Sequence, residues 1–253
     1  MRMINQQSDL CLVPECIQVR PTKQFAIDAA PWDGVLKFVA HGKLTLKLAI
    51  QFGWRPGARY TNLRDIRGLP FEEWGFLDIH WKRYCFAQHL AAAAQARPFI
   101  TVARDIESIF KLDLILREAE ELNRYASHVV IVPKDARLSG RLNELIPRQY
   151  ILGYSVPTRY GSTPIKPEHF RRPVHLLGGR PDVQRRLAMQ MPVVSLDCNR
   201  FTLDARFGDY FDGEIFRPHP KGGYRRCIKD SIKNIEKLWQ DYEQRPNTAC
   251  SGI

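Results

Sequence analysis

The sequence contains no uninterrupted apolar run approaching the roughly 18 residues a membrane-spanning helix needs, and its first ten residues, MRMINQQSDL, lack the apolar stretch of a signal peptide. The expectation is a soluble intracellular protein with no membrane partner. Paired C-x2-C spacing is absent too: the six cysteines, at 11, 16, 85, 198, 227 and 250, are scattered. Cys11 and Cys16 could contribute to a metal site, but no nearby His or Cys pair completes one, so reduced thiols and no metal are expected. No G-x-G-x-x-G follows a strand-like run, which argues against a dinucleotide loop. Acidic residues are in the minority, 27 Asp+Glu against 38 Lys+Arg, for a net charge of +11 over 253 residues. A pI near 9.5 suits a polyanionic partner, although net charge by itself says nothing about fold. With 44% apolar and 26% charged residues the chain is not disordered, and its length allows one core or two small ones.

From residue 35 onward, short β-branched runs alternate with helical patterns. The runs 35–40, 74–79, 99–103, 128–132, 150–154, 173–177 and 192–197 read as strands. Helices are expected over 44–52, 84–96, 109–122, 138–145, 181–191 and 224–242, while 53–60, rich in Gly, Pro and Arg, reads as a loop. In the third of these helices Ile109, Leu112, Ile115, Leu116, Ala119 and Leu122 form the apolar stripe, with Glu118, Glu120 and Glu121 expected to face away. Seven apolar strands separated mostly by helices imply a parallel sheet with crossovers. Polar or glycine residues close almost every strand: Asp78, Asp105, Lys134, Ser155, Gly178-Gly179 and Asp197. In a barrel those ends converge on one mouth, so a compact (β/α)8 TIM-type barrel is favoured over an open doubly wound sheet. Residues 1–34 read as an N-terminal extension packed on the barrel, 35–242 as the barrel with a basic C-terminal helix, and 243–253 as a frayed tail.

Three carboxylates are catalytic candidates. Asp78 (FLDIHW), Asp105 (VARDIE) and Asp197 (SLDCN) each end an apolar strand, where a carboxylate is functional or tightly hydrogen-bonded. A cap or an Arg ion pair explains any one of them; three at one end of a barrel are harder to explain that way. Two carboxylates can carry a glycosyl transfer, one attacking the anomeric carbon and the other shuttling the proton. By alternation His175 points into the barrel, as a buried and satisfied imidazole. Gly178-Gly179 could bring backbone N–H groups to a base edge or a phosphate. In Gly153-Tyr154-Ser155 the aromatic could stack on a base, or simply pack in the core. His41 and His80 have no ligand-spaced partner. On the last helix Arg225, Lys229, Lys233 and Lys237 step by four, with Arg217, His219, Lys221 and Arg226 just before or within it. A solvated face and a phosphate-binding stripe both fit that pattern.

Five segments, in order, carry a resemblance: FLDIHWK (76–82), RPFITVARDIE (97–107), GYSVPTRYG (153–161), RPVHLLGGRPDVQ (172–184) and VVSLDCNRFTLDARFG (193–208). Over roughly 74–239 the chain resembles the tRNA-guanine transglycosylase superfamily, and within it the 7-deazaguanine DNA transglycosylases (DpdA-type) of bacteria and phages. The resemblance implies a (β/α)8 barrel that exchanges guanine in DNA for a 7-deazaguanine base, such as 7-cyano-7-deazaguanine, through a covalent glycosyl-aspartate intermediate and without a cofactor. It implies Asp197 as nucleophile, Asp78 as acid and base, and Asp105 as reader of the guanine edge. Gly153, Tyr154, Ser155, His175, Gly178, Gly179 and Asn199 become substrate contacts, and Arg200, Lys221, Arg225, Arg226 and Lys229 nucleic-acid contacts. The partners implied are duplex DNA with a flipped guanine and the free 7-deazaguanine base, in bacterial or phage-infected host cytosol. Accessory proteins or a homodimer are compatible with it. The zinc module that follows the barrel in the tRNA enzymes is missing, and the chain is shorter; both features favour the DNA branch. Action on tRNA, and a non-catalytic DNA-binding barrel subunit, stay open as alternatives.

Overall fold

Short, mostly apolar strands covered on both faces can only satisfy their backbone by pairing with one another, and here they do so in sequence order. In the computed structural model, which describes residues 34–159 and 161–242, eight parallel strands close into a barrel. They are Leu36–Ala40 (β1), Arg55–Arg59 (β2), Phe76–Asp78 (β3), Ile100–Val102 (β4), His128–Ile131 (β5), Ile151–Ser155 (β6), Val174–Leu177 (β7) and Val193–Asp197 (β8). β1 pairs with β2 on one side and with β8 on the other, leaving no open edge. The helices are Lys43–Ile50 (α1), Phe86–Ala96 (α2), Leu112–Asn123 (α3), Leu142–Leu145 (α4), Pro181–Ala188 (α5), Arg200–Asp204 (α6) and Tyr224–Gln240 (α7). The β2–β3 and β6–β7 crossovers carry only a 3-10 turn. After β8 and α6 a small antiparallel hairpin, Asp209–Phe211 (β9) and Phe216–Pro218 (β10), precedes α7. The expected (β/α)8 TIM-type architecture is therefore present. Among the described residues no helix is long and apolar enough to cross a membrane.

Two apolar layers result. Inside the barrel Phe38, Phe76, Ile100, Val102, Val130, Val132, Ile151 and Val194 fill the lumen. The larger layer lies between strands and helices and includes Val39, Leu77, Val129, Leu152, Leu176, Leu196, Ile228 and Ile232. Such a filled lumen confines any site to the rim where the strands end.

The segment 53–60, expected as a loop, contains the second barrel strand. Its Arg-Pro-Gly-Ala-Arg sequence offers almost no apolar surface, yet Pro56, Gly57 and Ala58 are buried. The reason is backbone proximity: a Cβ on Gly57 would lie 3.1 Å from the Ala40 Cβ and 3.2 Å from the Val39 carbonyl oxygen. The helix expected over 138–145 is a 3-10 turn, Ala136–Leu138, followed by the single turn of α4. Glu118, expected to face solvent, is buried because the Arg104 guanidinium reaches it at 2.8 Å. The N-terminal extension, the tail, Cys11, Cys16 and Cys250 lie outside the described residues.

Candidate active site at the barrel mouth

Asp197 owes its direction to an irregularity in β8. Val174 pairs with Val193 and His175 with Ser195, so Val194 is an extra residue in the ladder. The bulge resets the alternation. Val194 faces the lumen and Leu196 the outer layer, and Ser195 and Asp197 then share the inner face. The Asp197 carboxylate is almost wholly enclosed, its side chain 8% exposed. The Gly178 N–H donates to its Oδ1 at 2.9 Å, and the Asn199 amide donates to its Oδ2 at 3.3 Å. Asn199 is itself oriented, since its Oδ1 accepts the Ala40 N–H at 2.8 Å. That backbone donor is available because Gly178 and Gly179, at φ +61° and +89°, turn the chain sharply after β7. Gln184, fully buried on α5, locks the turn by donating to the carbonyls of both Gly178 (2.7 Å) and Asp197 (2.8 Å). Beneath the carboxylate, His175 lies between Phe38 and Phe76, bonds Ser195 through Nδ1 at 2.8 Å, and holds Nε2 3.7 Å from Asp197 Oδ1.

Asp78 ends β3, opposite Arg59 of β2 in the ladder. Its Oδ1 accepts the Ile79 N–H at 2.8 Å, while the Arg59 guanidinium stands off at 4.0 Å. Enclosure in the mouth, and next the negative charge of Asp197, push its pKa from 3.8 up to about 7, with Asp105 adding to the rise. A quarter of the side chain still meets solvent, 25% by area. Asp78 ends β3, Asp197 ends β8 and Asp105 follows β4, so all three carboxylates stand at the same end of the closed barrel. Asp105 is held by the Lys134 ammonium at 2.7 Å, and its own pKa is raised by burial against the pull of that cation. Two carboxyl groups in contrasting surroundings are suited to different work: Asp197 is fixed by donors, and Asp78 is able to keep a proton near neutrality.

Other expected contacts fare differently. Gly153 lies on the inner face, but the space a side chain would need there is already taken by Val132, Val130 and Leu177, within 2.6–3.0 Å of an added Cβ. It serves packing, not an approach to ligand. The Tyr154 ring points outward into the strand–helix layer, edge-on to Phe170 at 5.1 Å, and cannot stack on anything in the mouth. Ser155 ends β6, its N–H donating to the Thr163 hydroxyl. Gly178 gives its N–H to Asp197, and the space a side chain on Gly179 would need is taken by Val156. Arg200 is paired with Asp204 at 2.6 Å. Lys221, Arg225, Arg226 and Lys229 are exposed. Cys198, next to the nucleophile candidate, is fully buried, and that burial pushes its thiol up to about 12. Gln184, Arg59 and Lys134 have roles at the site that the sequence did not assign. Among the described residues no group of three or more His, Cys, Asp or Glu side chains forms a metal-ligand set.

A family described as "Family of unknown function (DUF6610)" matches residues 49–240. No curated protein matches the chain. Among solved structures, the YdjI aldolase from Escherichia coli K12 aligns with a TM-score of 0.48 at 10% identity, covering 81% of this chain and 91% of the aldolase. Cgl0159 from Corynebacterium glutamicum (Brevibacterium flavum) aligns with a TM-score of 0.46 at 11% identity, covering 81% and 86% respectively.

Proposed function

We propose that this chain, which belongs to the family of unknown function DUF6610, is a glycosyltransferase that exchanges guanine in DNA for a 7-deazaguanine base. The observation that carries the proposal is the pairing of an enclosed, donor-held Asp197 with an Asp78 whose pKa is raised to about 7 partly by Asp197 itself. In the first half-reaction an Asp197 oxygen attacks C1′ of a flipped deoxyguanosine as Asp78 delivers its proton to the departing base. The C1′–N9 bond breaks and a C1′–oxygen ester forms. In the second half Asp78, now ionised, takes the proton from the incoming base, whose nitrogen attacks C1′ and releases Asp197. Two inversions give net retention. Asp105, fixed by Lys134, would accept hydrogen bonds from the base edge. Flipping the nucleotide costs a few kcal/mol, which phosphate contacts from a chain of net charge +11 can offset.

Incubation with duplex DNA and labelled 7-cyano-7-deazaguanine should place label in the DNA, and Asp197→Asn should abolish the transfer. Label entering tRNA and not DNA would redirect the proposal to the other nucleic acid. Transfer by Asp197→Asn at the wild-type rate would overturn it.

A further inference from the structure

Away from the mouth, the outer wall carries a groove between the β9–β10 hairpin and α7. Its lining comprises Tyr210, His219 and Lys221 from the hairpin side, and Asp230, Lys233 and Lys237 from the helix. The hairpin is fixed to α7 by backbone–side-chain bonds: the Phe211 N–H donates to Ser231 Oγ, and the Asn234 amide donates to the Phe211 carbonyl, both at 2.9 Å. The groove's shape is thus set by the fold. Helix polarity gives its position. Tyr224, at the start of α7, bonds Thr45 near the mouth end of α1 at 3.0 Å, while the Tyr242 hydroxyl, beyond the helix end, accepts the Val193 N–H at the opposite end of β8. Residues 230–237 therefore lie roughly 9–20 Å down the wall from the rim, at about 1.5 Å per residue.

The charge there is uncompensated. Many surface arginines are paired, among them Arg137, Arg141, Arg180, Arg186, Arg200 and Arg217. The ammonium groups of Lys221, Lys233 and Lys237 make no ion pair among the described residues. The one carboxylate in the groove, Asp230, is occupied by His219 Nε2 at 3.0 Å. Because His219 Nδ1 accepts the Lys221 N–H at 3.1 Å, the ring proton sits on Nε2 and faces Asp230. His219 in turn meets the Tyr210 ring edge-on at 4.8 Å, leaving that partly exposed aromatic braced at the groove wall. Three unpaired cations beside a fixed aromatic match the chemistry of a single nucleic-acid strand, with phosphates on the cations and a base against the ring.

We propose that this groove is a second nucleic-acid site, holding a single strand along the outer wall at a distance from the mouth. It shares with the base-exchange proposal the premise that the partner is nucleic acid. The test is fluorescence anisotropy of a labelled oligothymidylate across a salt series. Replacing Lys221, Lys233 and Lys237 together by Gln should weaken binding and flatten the slope of log affinity against log salt by about 2, since each phosphate contact on a single strand contributes roughly 0.7. Lys233→Gln alone should take about 0.7 of that slope. Tyr210→Ala should weaken oligothymidylate binding about tenfold and leave binding of inorganic polyphosphate unchanged. An unchanged salt slope in the lysine variants, or no preferential loss for the oligonucleotide in Tyr210→Ala, would overturn the proposal. Asp197→Asn should bind with the wild-type slope. Absent base exchange with these binding effects intact would count against the mouth chemistry alone, and intact exchange with an unchanged slope against the groove alone.

Discussion

The Asp78 carboxyl keeps, near neutrality, a proton that the unfolded chain would release, because enclosure and the neighbouring Asp197 disfavour its charge. The folded pKa lies above the unfolded one. The stabilisation is therefore complete below the ordinary Asp value of 3.8 and is lost as pH rises through about 7. Two consequences can be measured together. Release of guanine, which needs the protonated acid, should decline above pH of about 7, and the melting temperature should fall over the same rise in pH. Asp78→Asn should abolish exchange, remove that pH dependence of melting, and raise the melting temperature at high pH by roughly 2–4 °C. The two glycines beside Asp197 make a sharper test. A methyl group on Gly179 would lie 2.3 Å from the Val156 side chain at a φ of +89°. Gly179→Ala should cost about 1–3 kcal/mol and displace the Gly178 donor from Asp197, lowering exchange in protein that is still folded at low temperature. Much at this scale was legible: Asp78, Asp105 and Asp197 stand out because each closes an apolar run. For Tyr154 the sequence left stacking on a base and packing in the core both open; the structure takes the second, as the period of two requires of a residue facing opposite to Gly153 and Ser155. Of the donors to Asp197, Asn199 stands two residues along the chain and Gly178 comes from the end of the neighbouring strand β7; both were read as substrate contacts, and only the strand pairing shows that they hold the carboxylate.

Among the elements, β3 to β8 announce themselves as β-branched or apolar runs, whereas β2 does not. Arg-Pro-Gly-Ala-Arg is held by closeness of backbone to β1, a property of the pair and not of either sequence. The β8 bulge was equally hidden, because Val-Val-Ser-Leu-Asp can alternate in either phase until its partner fixes it. Glu118 was read outward by helical period, and Arg104 from β4's end draws it in. In the C-terminal helix Cys227, Ile228, Ile232, Ile235 and Trp239 are buried along one amphipathic face. Among its polar anchors, Glu236 reaches the barrel wall. Glu236 accepts from the Trp54 indole at 2.5 Å and from Lys37 at 2.9 Å, tying α7 to β1 and to the start of β2. Glu236→Ala leaves a largely enclosed ammonium and an indole N–H without partners, a loss of about 1–3 kcal/mol. Thermal melting should drop by roughly 5 °C, and Glu236→Gln, which keeps an acceptor for the indole, should recover part of it.

At the level of the molecule, closing the barrel turns residues more than a hundred positions apart into one site. β8 returns to β1, β1 pairs with β2, and β2 pairs with β3, so Asp197 and Asp78 reach the same rim with two strands between theirs. The lumen below is packed with Phe38, Phe76, His175 and the interior valines. The rim is therefore where this chain has room for a ligand, and a nucleoside held there is what the proposed reaction requires. If Asp197 forms an ester with C1′, DNA supplied without any incoming base should leave guanine free and a protein–DNA adduct that survives denaturation. Denaturing electrophoresis followed by peptide mass mapping tests this directly. The expected result is an adduct on the Asp197 peptide, formed by the wild-type chain and missing in Asp197→Asn. Guanine exchange with no adduct, or an adduct mapped to any other residue, would contradict it.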